Sequence, residues 1–323
     1  MGWKGTVRSV SAAMRAAERE SQRRNKQLLK EQITEEAADA VTDWKNYCHD
    51  LISLHTHVAE RVDWQSLATS PEPSKPTQSN EREQNAQAEL DSFVPKRLDF
   101  LRGGSAKRRV RLEQAVADAA ETDRRNFEEQ MAAYEAAVAE WKEDTALANR
   151  VLANEAAAKK EVIGEMQTFT TEDLIGRAVV FHIGDEGIHA VPTVHSDEVV
   201  PNFRRKQLAS GRLSETKMPV GEFNELYQDY VCSVALRVAG DLFSILPDDE
   251  LHVSCVATML NTKTGHQEPT PILSVFFVRA TFEGLKLTHL DPSDALANFN
   301  HTMAFKRTKG FAPIEPLKAI PEE

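Results

Sequence analysis

The residues best equipped for chemistry are a few histidines, cysteines and carboxylates. Cys48, His49, His55 and His57 stand close together. On a helix Cys48 and His55, seven apart, share a face, but helical metal ligands come at i,i+4 and no zinc spacing is met. The structural reading, a thiol beside an apolar seam with flanking histidines, is preferred, and no metal site is expected. His182, His189 and His195 can meet on one strand face, where histidines are usually structural or exposed. Cys232 and Cys255 lie in VCSVAL and VSCVAT, apolar runs in which thiols are inert core. A restriction-endonuclease-like site would need an Asp and a Glu-x-Lys on neighbouring strands to hold its metal. The candidate strand ILSVFFVRATF has no central carboxylate, and Asp248, Asp249 and Glu250 read as a solvated turn. There is no GxSxG, P-loop or GxGxxG, so catalysis is not the preferred reading, and no cofactor is implied.

Cations are the other candidates. Arg15, Arg19, Arg23 and Arg24 lie in the opening thirty residues, and Lys107, Arg108, Arg109 and Arg111 in LRGGSAKRRVR. If Ser105 caps a helix there, cations in its first turns oppose the macrodipole. Either a bound anion offsets them, or the helix starts earlier and they are hydrated or paired, which is the preferred reading. FRRKQLASGR, with Arg204, Arg205 and Lys206, and FKRTKGF add two basic loops. Basic clusters near aromatics suit nucleic acid, although a solvated surface is the simpler reading of each alone.

The charge distribution sharpens this. Residues 1–32 hold eight Lys or Arg and three Glu, a net +5, which leaves −16 on the rest of a chain whose total is −11. The field as a whole disfavours nucleic acid, whereas the N-terminal segment favours it. Three widely spaced cysteines indicate reduced thiols in a cytosol. No apolar run is long enough for a transmembrane helix, and alanines broken by arginines make a poor secretory signal. MGWKGT matches the short N-myristoylation pattern at Gly2 and Thr6, but a single acyl chain anchors only marginally.

These residues need elements to hold them. Residues 7–62 read as helix, with a seam at Ile33, Ala37, Ala40, Trp44, Tyr47, Leu51, Leu54 and Val58 in alternating steps of four and three. Prolines and polar residues make 67–105 a linker. Residues 106–167 read as a second long helix, with a similar seam from Phe127 to Leu152. An antiparallel coiled-coil-like hairpin of the two is expected, with pairing between chains as the alternative. Composition changes at Thr168. Strands are expected at 178–183 and 187–194, a polar basic loop at 201–218, a buried helix at 221–246, strands at 251–260 and 272–282, a short helix near 295–300 and a last strand at 303–308. The class is α+β, order ββ-α-ββ-α-β. The organisation is 1–66 basic helix and first coiled segment, 67–105 linker, 106–167 second helix, 168–312 α+β domain and 313–323 tail.

MGWKGT, YVCSVALRVAGDLFSILP, NTKTGHQEPTPILSV and FKRTKGF together resemble an uncharacterised bacterial family with a charged helical N-terminal half and a C-terminal α+β domain. The resemblance implies a bacterial, cytoplasmic protein and no activity. The expectation is a non-enzymatic binding or scaffold protein. Its partners would be a protein or a second copy engaged through the coiled segments, and DNA or RNA engaged through the basic ones. A nuclease-like component of a bacterial defence or DNA-processing system is the alternative.

Overall fold

α1 is a helix of 50 residues, Trp3–Ile52. The computed structural model describes residues 3–94, 104–167, 175–176, 178–184 and 187–320, with side chains from Glu18 onward. The class is α+β, and the chain divides into two units. One joins Met1–Val62 to Ala156–Glu323, and the other is the intervening Asp63–Glu155.

The first unit is organised by α6 (Val220–Ile245). Its apolar positions recur on so broad a face that most of its length is buried, with Tyr230, Leu236 and Val238 fully covered. It ends at Leu246, which is extended before Pro247, as the clash with a following proline ring requires. α6 covers one face of a six-stranded sheet ordered β1-β2-β5-β6-β7-β8. The strands are β1 (Ala178–Gly184), β2 (Gly187–Thr193), β5 (Glu250–Leu260), β6 (Gln267–Val278), β7 (Asn300–Lys306) and β8 (Gly310–Ala312). β2 and β5 run parallel, because α6 carries the chain back between them. The other neighbours in the sheet are antiparallel. Asp185 and Glu186 of the expected β1–β2 turn lie outside the described residues.

Leu251, Val253, Cys255 and Phe277 face α6 and are completely or almost completely buried. Each such large side chain contributes about 1.5–3 kcal/mol on burial. The opposite sheet face carries His182, His189, His252 and Phe276 in one row, set by the register His182↔His189, His189↔His252 and His252↔Phe276. The chain after β8 crosses that face. Ile314 donates its N–H to the Pro271 carbonyl (3.0 Å), and Leu317 donates to Ser274 Oγ (3.1 Å).

The loop expected at 201–218 is instead a hairpin, β3 (Phe203–Gln207) paired with β4 (Leu213–Lys217). Its charges pair across the ladder, and its tip is held by α1, where Gln207 Nε2 donates to the Thr34 carbonyl at 2.6 Å. Before β1, the short α5 (Ala156–Met166) is docked by a buried ion pair of Lys159 with Asp248 at 2.5 Å. The seam of α1 finds its partners within this unit too. Ala37 and Leu51 are buried, and α1 packs on α6 and on the β3–β4 hairpin. After Ile52 the chain leaves the helix, and its carbonyl and amide groups are taken up by α6. Ala59 donates to Asp241 Oδ1 (2.8 Å), and His55 is clamped between Ser233 Oγ (2.8 Å) and the Leu287 carbonyl (2.9 Å).

In the second unit α2 (Trp64–Ala68) and α3 (Glu81–Asp91) pack on α4 (Gly104–Leu152). The linker expected over 67–105 therefore holds the helix α3, and α2 runs into its start. The buried Asp123 carboxylate accepts the N–H groups of Arg82 and Glu83 at 3.0 and 3.1 Å, satisfying amides that a helix start leaves unpaired. Trp141 donates to the Ser70 carbonyl at 3.0 Å. The single long helix expected over 106–167 is broken after Leu152, because Asn154 takes a left-handed conformation at φ 62° and turns the chain. Residues 95–103 lie outside the described residues.

Candidate functional site

A cleft opens in the first unit where β2 stops and its parallel neighbour continues. β2 ends at Thr193, opposite Val256, and Val194 donates one more bond to the Val256 carbonyl at 2.9 Å. β5 runs on to Leu260. At the point of parting, β6 carries a bulge: Cys255 pairs with Leu273 and Val256 with Pro271, so Ile272 is the extra residue. The result is a cavity of about 420 Å³ at the carboxyl ends of the parallel pair. Such ends are where open α/β sheets take ligands, and the volume lies within the usual range of ligand sites.

Its apolar floor includes Val194, Ala257 and Ile272. One wall is the turn 195–199, held by two tyrosines of α6. The Tyr227 hydroxyl donates to the His195 carbonyl (2.9 Å), and the Tyr230 hydroxyl accepts the His195 N–H (3.2 Å). Burial pushes both phenols well above their ordinary pKa, so they stay protonated and able to donate. Tyr47 of α1 braces the same turn through the Val199 carbonyl at 2.8 Å. The opposite wall is Lys309, Gly310 and Phe311, with Phe311 packed edge-on to Tyr227 at 5.7 Å. Asp197 and Glu198 line the cleft without a cationic partner among the described residues. Comparison with family models, curated proteins and solved structures finds no match.

Of the histidines flagged in the sequence, His195 lends its backbone to the cleft wall. His189 lies elsewhere, buried on the opposite sheet face, with Nε2 2.8 Å from Ser254 Oγ and Nδ1 without a partner. Burial, then the neighbouring His252, Lys318 and His182, lower its pKa to about 4. Cys232 and Cys255 are fully buried, their thiols pushed well above the ordinary range by burial, which makes them core. Asp248 is taken by Lys159, and Asp249 lies 3.8 Å from Arg279. Among the described residues no group of three His, Cys, Asp or Glu is placed to hold a metal ion.

The flagged cations separate into three sets. Arg204 pairs with Glu222, and Arg205 pairs with Glu215 at 3.1 Å while lying over the Phe203 ring, so the β3 cluster is largely neutralised within the unit; Lys206 beside them is exposed. Lys107, Arg108, Arg109 and Arg111 stand on α4 of the other unit, with Arg109 on Glu113 at 3.0 Å. The α1 set is different. Residues 18–33 are exposed on every side. Arg24 pairs with Glu20 at 2.5 Å, but Arg19 and Arg23 form no ion pair among the described residues, and neither do Lys26 and Lys30. Positions 19, 23, 26 and 30 fall within an arc of about 60° on a 3.6-residue helix, with Glu18, Glu20 and Glu31 outside it. Arg15 stands on α1 four residues earlier; its side chain, and Gly2 of the acylation pattern, lie outside the described residues. Among the described residues no helix is long and apolar enough to cross a membrane.

Proposed function

We propose that this chain is a non-catalytic binding and scaffold protein whose N-terminal helical arm engages the phosphate backbone of DNA or RNA. The observation that carries the reading is the cationic stripe of Arg19, Arg23, Lys26 and Lys30 on an exposed stretch of α1. Successive members rise by about 4.5 or 6 Å, a spacing that lets one helix follow a row of phosphates. The C-terminal half of the same helix is packed on α6 and the β3–β4 hairpin, so the stripe is presented from a fixed base.

The test is fluorescence anisotropy on labelled 20-nucleotide DNA and RNA across a salt titration. Four phosphate contacts give a log–log slope of roughly −3 to −4. The triple variant Arg19→Glu, Arg23→Glu, Lys30→Glu should lose most of that slope while keeping the wild-type melting temperature. Binding that is insensitive to salt, or no binding at 25 mM salt, refutes the reading.

A further inference from the structure

We infer that the cleft beside β5 is a docking site for an extended peptide of a partner protein, one that alternates apolar and basic side chains and adds to the sheet as a short strand. The argument begins with backbone direction. Along β5 the Val256 carbonyl points toward β2, where it accepts the Val194 N–H, and the Asn261 N–H points toward β6, where it donates to the His266 carbonyl at 2.8 Å. Backbone groups alternate sides with a period of two. The N–H and C=O of Thr258 and Leu260 therefore point away from β6, on the side that β2 has vacated. Thr258 and Leu260 are exposed there, and the cavity borders that open edge at Val194, Asp197 and Glu198 before extending over the sheet face toward Ile272 and Phe311.

Two residues with outward N–H and C=O form the register that strand-adding recognition domains use. An exposed edge of this kind is ordinarily blunted by Pro, a Lys or a covering loop. Here the following loop turns aside instead, held off the edge by the two tyrosine bonds to His195. The bulge at Ile272 lies at the same point, and bulges concentrate where a sheet is reshaped for function.

The side chains define the occupant. Val194, Ala257 and Ile272 are buried and apolar, so the inward-facing residue of the incoming strand is apolar. Asp197 and Glu198, without a cationic partner among the described residues, favour Lys or Arg at the alternate positions. Lys309 on the opposite wall disfavours a second cation there and so sets the direction of entry. The site is distinct from the cationic stripe of α1 and does not depend on it.

The probe is acetyl-Lys-Val-Lys-Val-Lys-Val-amide titrated against the full chain, with the Glu-Val repeat of equal length as control. A third peptide is N-methylated at each valine, which keeps charge and side chains but blocks pairing on one edge; a fourth is methylated at each lysine. The expected result is binding of the Lys-Val peptide, at least tenfold weaker binding of the Glu-Val peptide, and at least tenfold loss with one of the two methylated peptides only. Amide exchange at Thr258 and Leu260 should slow in the complex. The variant Asp197→Lys, Glu198→Lys should invert the charge preference. Equal binding of all four peptides, no binding of any, or protection confined to another part of the chain overturns the proposal. Because the methylated peptides leave the protein unchanged, a misfolded variant does not rescue or sink it.

Discussion

Replacing Asp229 by Asn should stabilise the protein at neutral pH and do progressively less as the solution is acidified. Asp229 lies on α6, one turn after Glu225, half-buried, and within reach of Asp291 and Asp294. Burial raises its pKa from 3.8 to about 6; the hydrogen bond with Ser293 is the next largest effect and opposes the rise, and Asp291, Glu225 and Asp294 each add a smaller push upward. A group raised in the folded state contributes stability that is fully present below about pH 3.8 and lost as pH rises through about 6. The rise corresponds to about 3 kcal/mol of folded-state penalty on the ionised carboxylate at pH 7. Partial exposure reduces this, so a measured gain of roughly 1–3 kcal/mol for Asp229→Asn at pH 7, shrinking toward zero near pH 4, is expected. His189 pulls the wild-type profile the other way. Its pKa is lowered from 6.5 to about 4, so its contribution is present above pH 6.5 and lost as pH falls toward 4. The two effects offset each other in the wild-type curve, and only the difference between variant and wild type isolates Asp229. Urea denaturation of both proteins at half-unit steps from pH 4 to 7 gives that difference. A difference that stays constant with pH, or that grows on acidification, refutes the reasoning.

Asp123→Ala removes the carboxylate that closes the start of α3. It should cost about 1–3 kcal/mol and raise amide exchange at Arg82 and Glu83 first, leaving the first unit's strands unchanged. Arg237→Met leaves the Asp241 carboxylate, which is 0% exposed, without its guanidinium at 3.1 Å. The expected loss is about 3–5 kcal/mol in denaturant melts, with part of it recovered in the double variant Arg237→Met, Asp241→Leu.

How much was legible in the sequence follows from where each signal lies. α6 and strands β1, β2, β5 and β6 were readable because their apolar residues repeat locally at helical or strand period. The β3–β4 hairpin was not, since FRRKQ carries charge on both faces and LSETK has no alternating apolar residues. Its stability comes from Arg205–Glu215 across the ladder and from contact with Thr34, far away in sequence. The break after Leu152 hid because no Pro or Gly marks it and Asn154 supplies the left-handed turn. The α1 seam was correctly spaced, but spacing does not name a partner, and its buried members meet α6 and the hairpin. Of the cations, the charge excess of residues 1–32 is readable from the sequence alone, while the neutralisation of Arg204 and Arg205 needed the folded positions of Glu222 and Glu215. The cleft was invisible for a similar reason. Val194, Asp197, Tyr227, Thr258, Ile272 and Phe311 come from five elements and share no local pattern.

The first unit is assembled from both ends of the chain, and that sets a timetable for its making. Tyr47, His55 and Ala59 find their partners 152, 178 and 182 residues later, at Val199, Ser233 and Asp241. At ordinary rates of translation the wait is roughly 10–40 s. Throughout it Leu51 and Leu54 are outside the ribosome with nothing to cover them. Residues 63–155 emerge in that interval and can close around α4 without waiting for either end. Synthesis thus imposes a sequence in which the insert folds early and the oldest part of the nascent chain is captured last, by α6. A growing chain of this kind exposes its apolar seam for longest just where a holding chaperone, or a premature contact with a neighbouring nascent chain, would act.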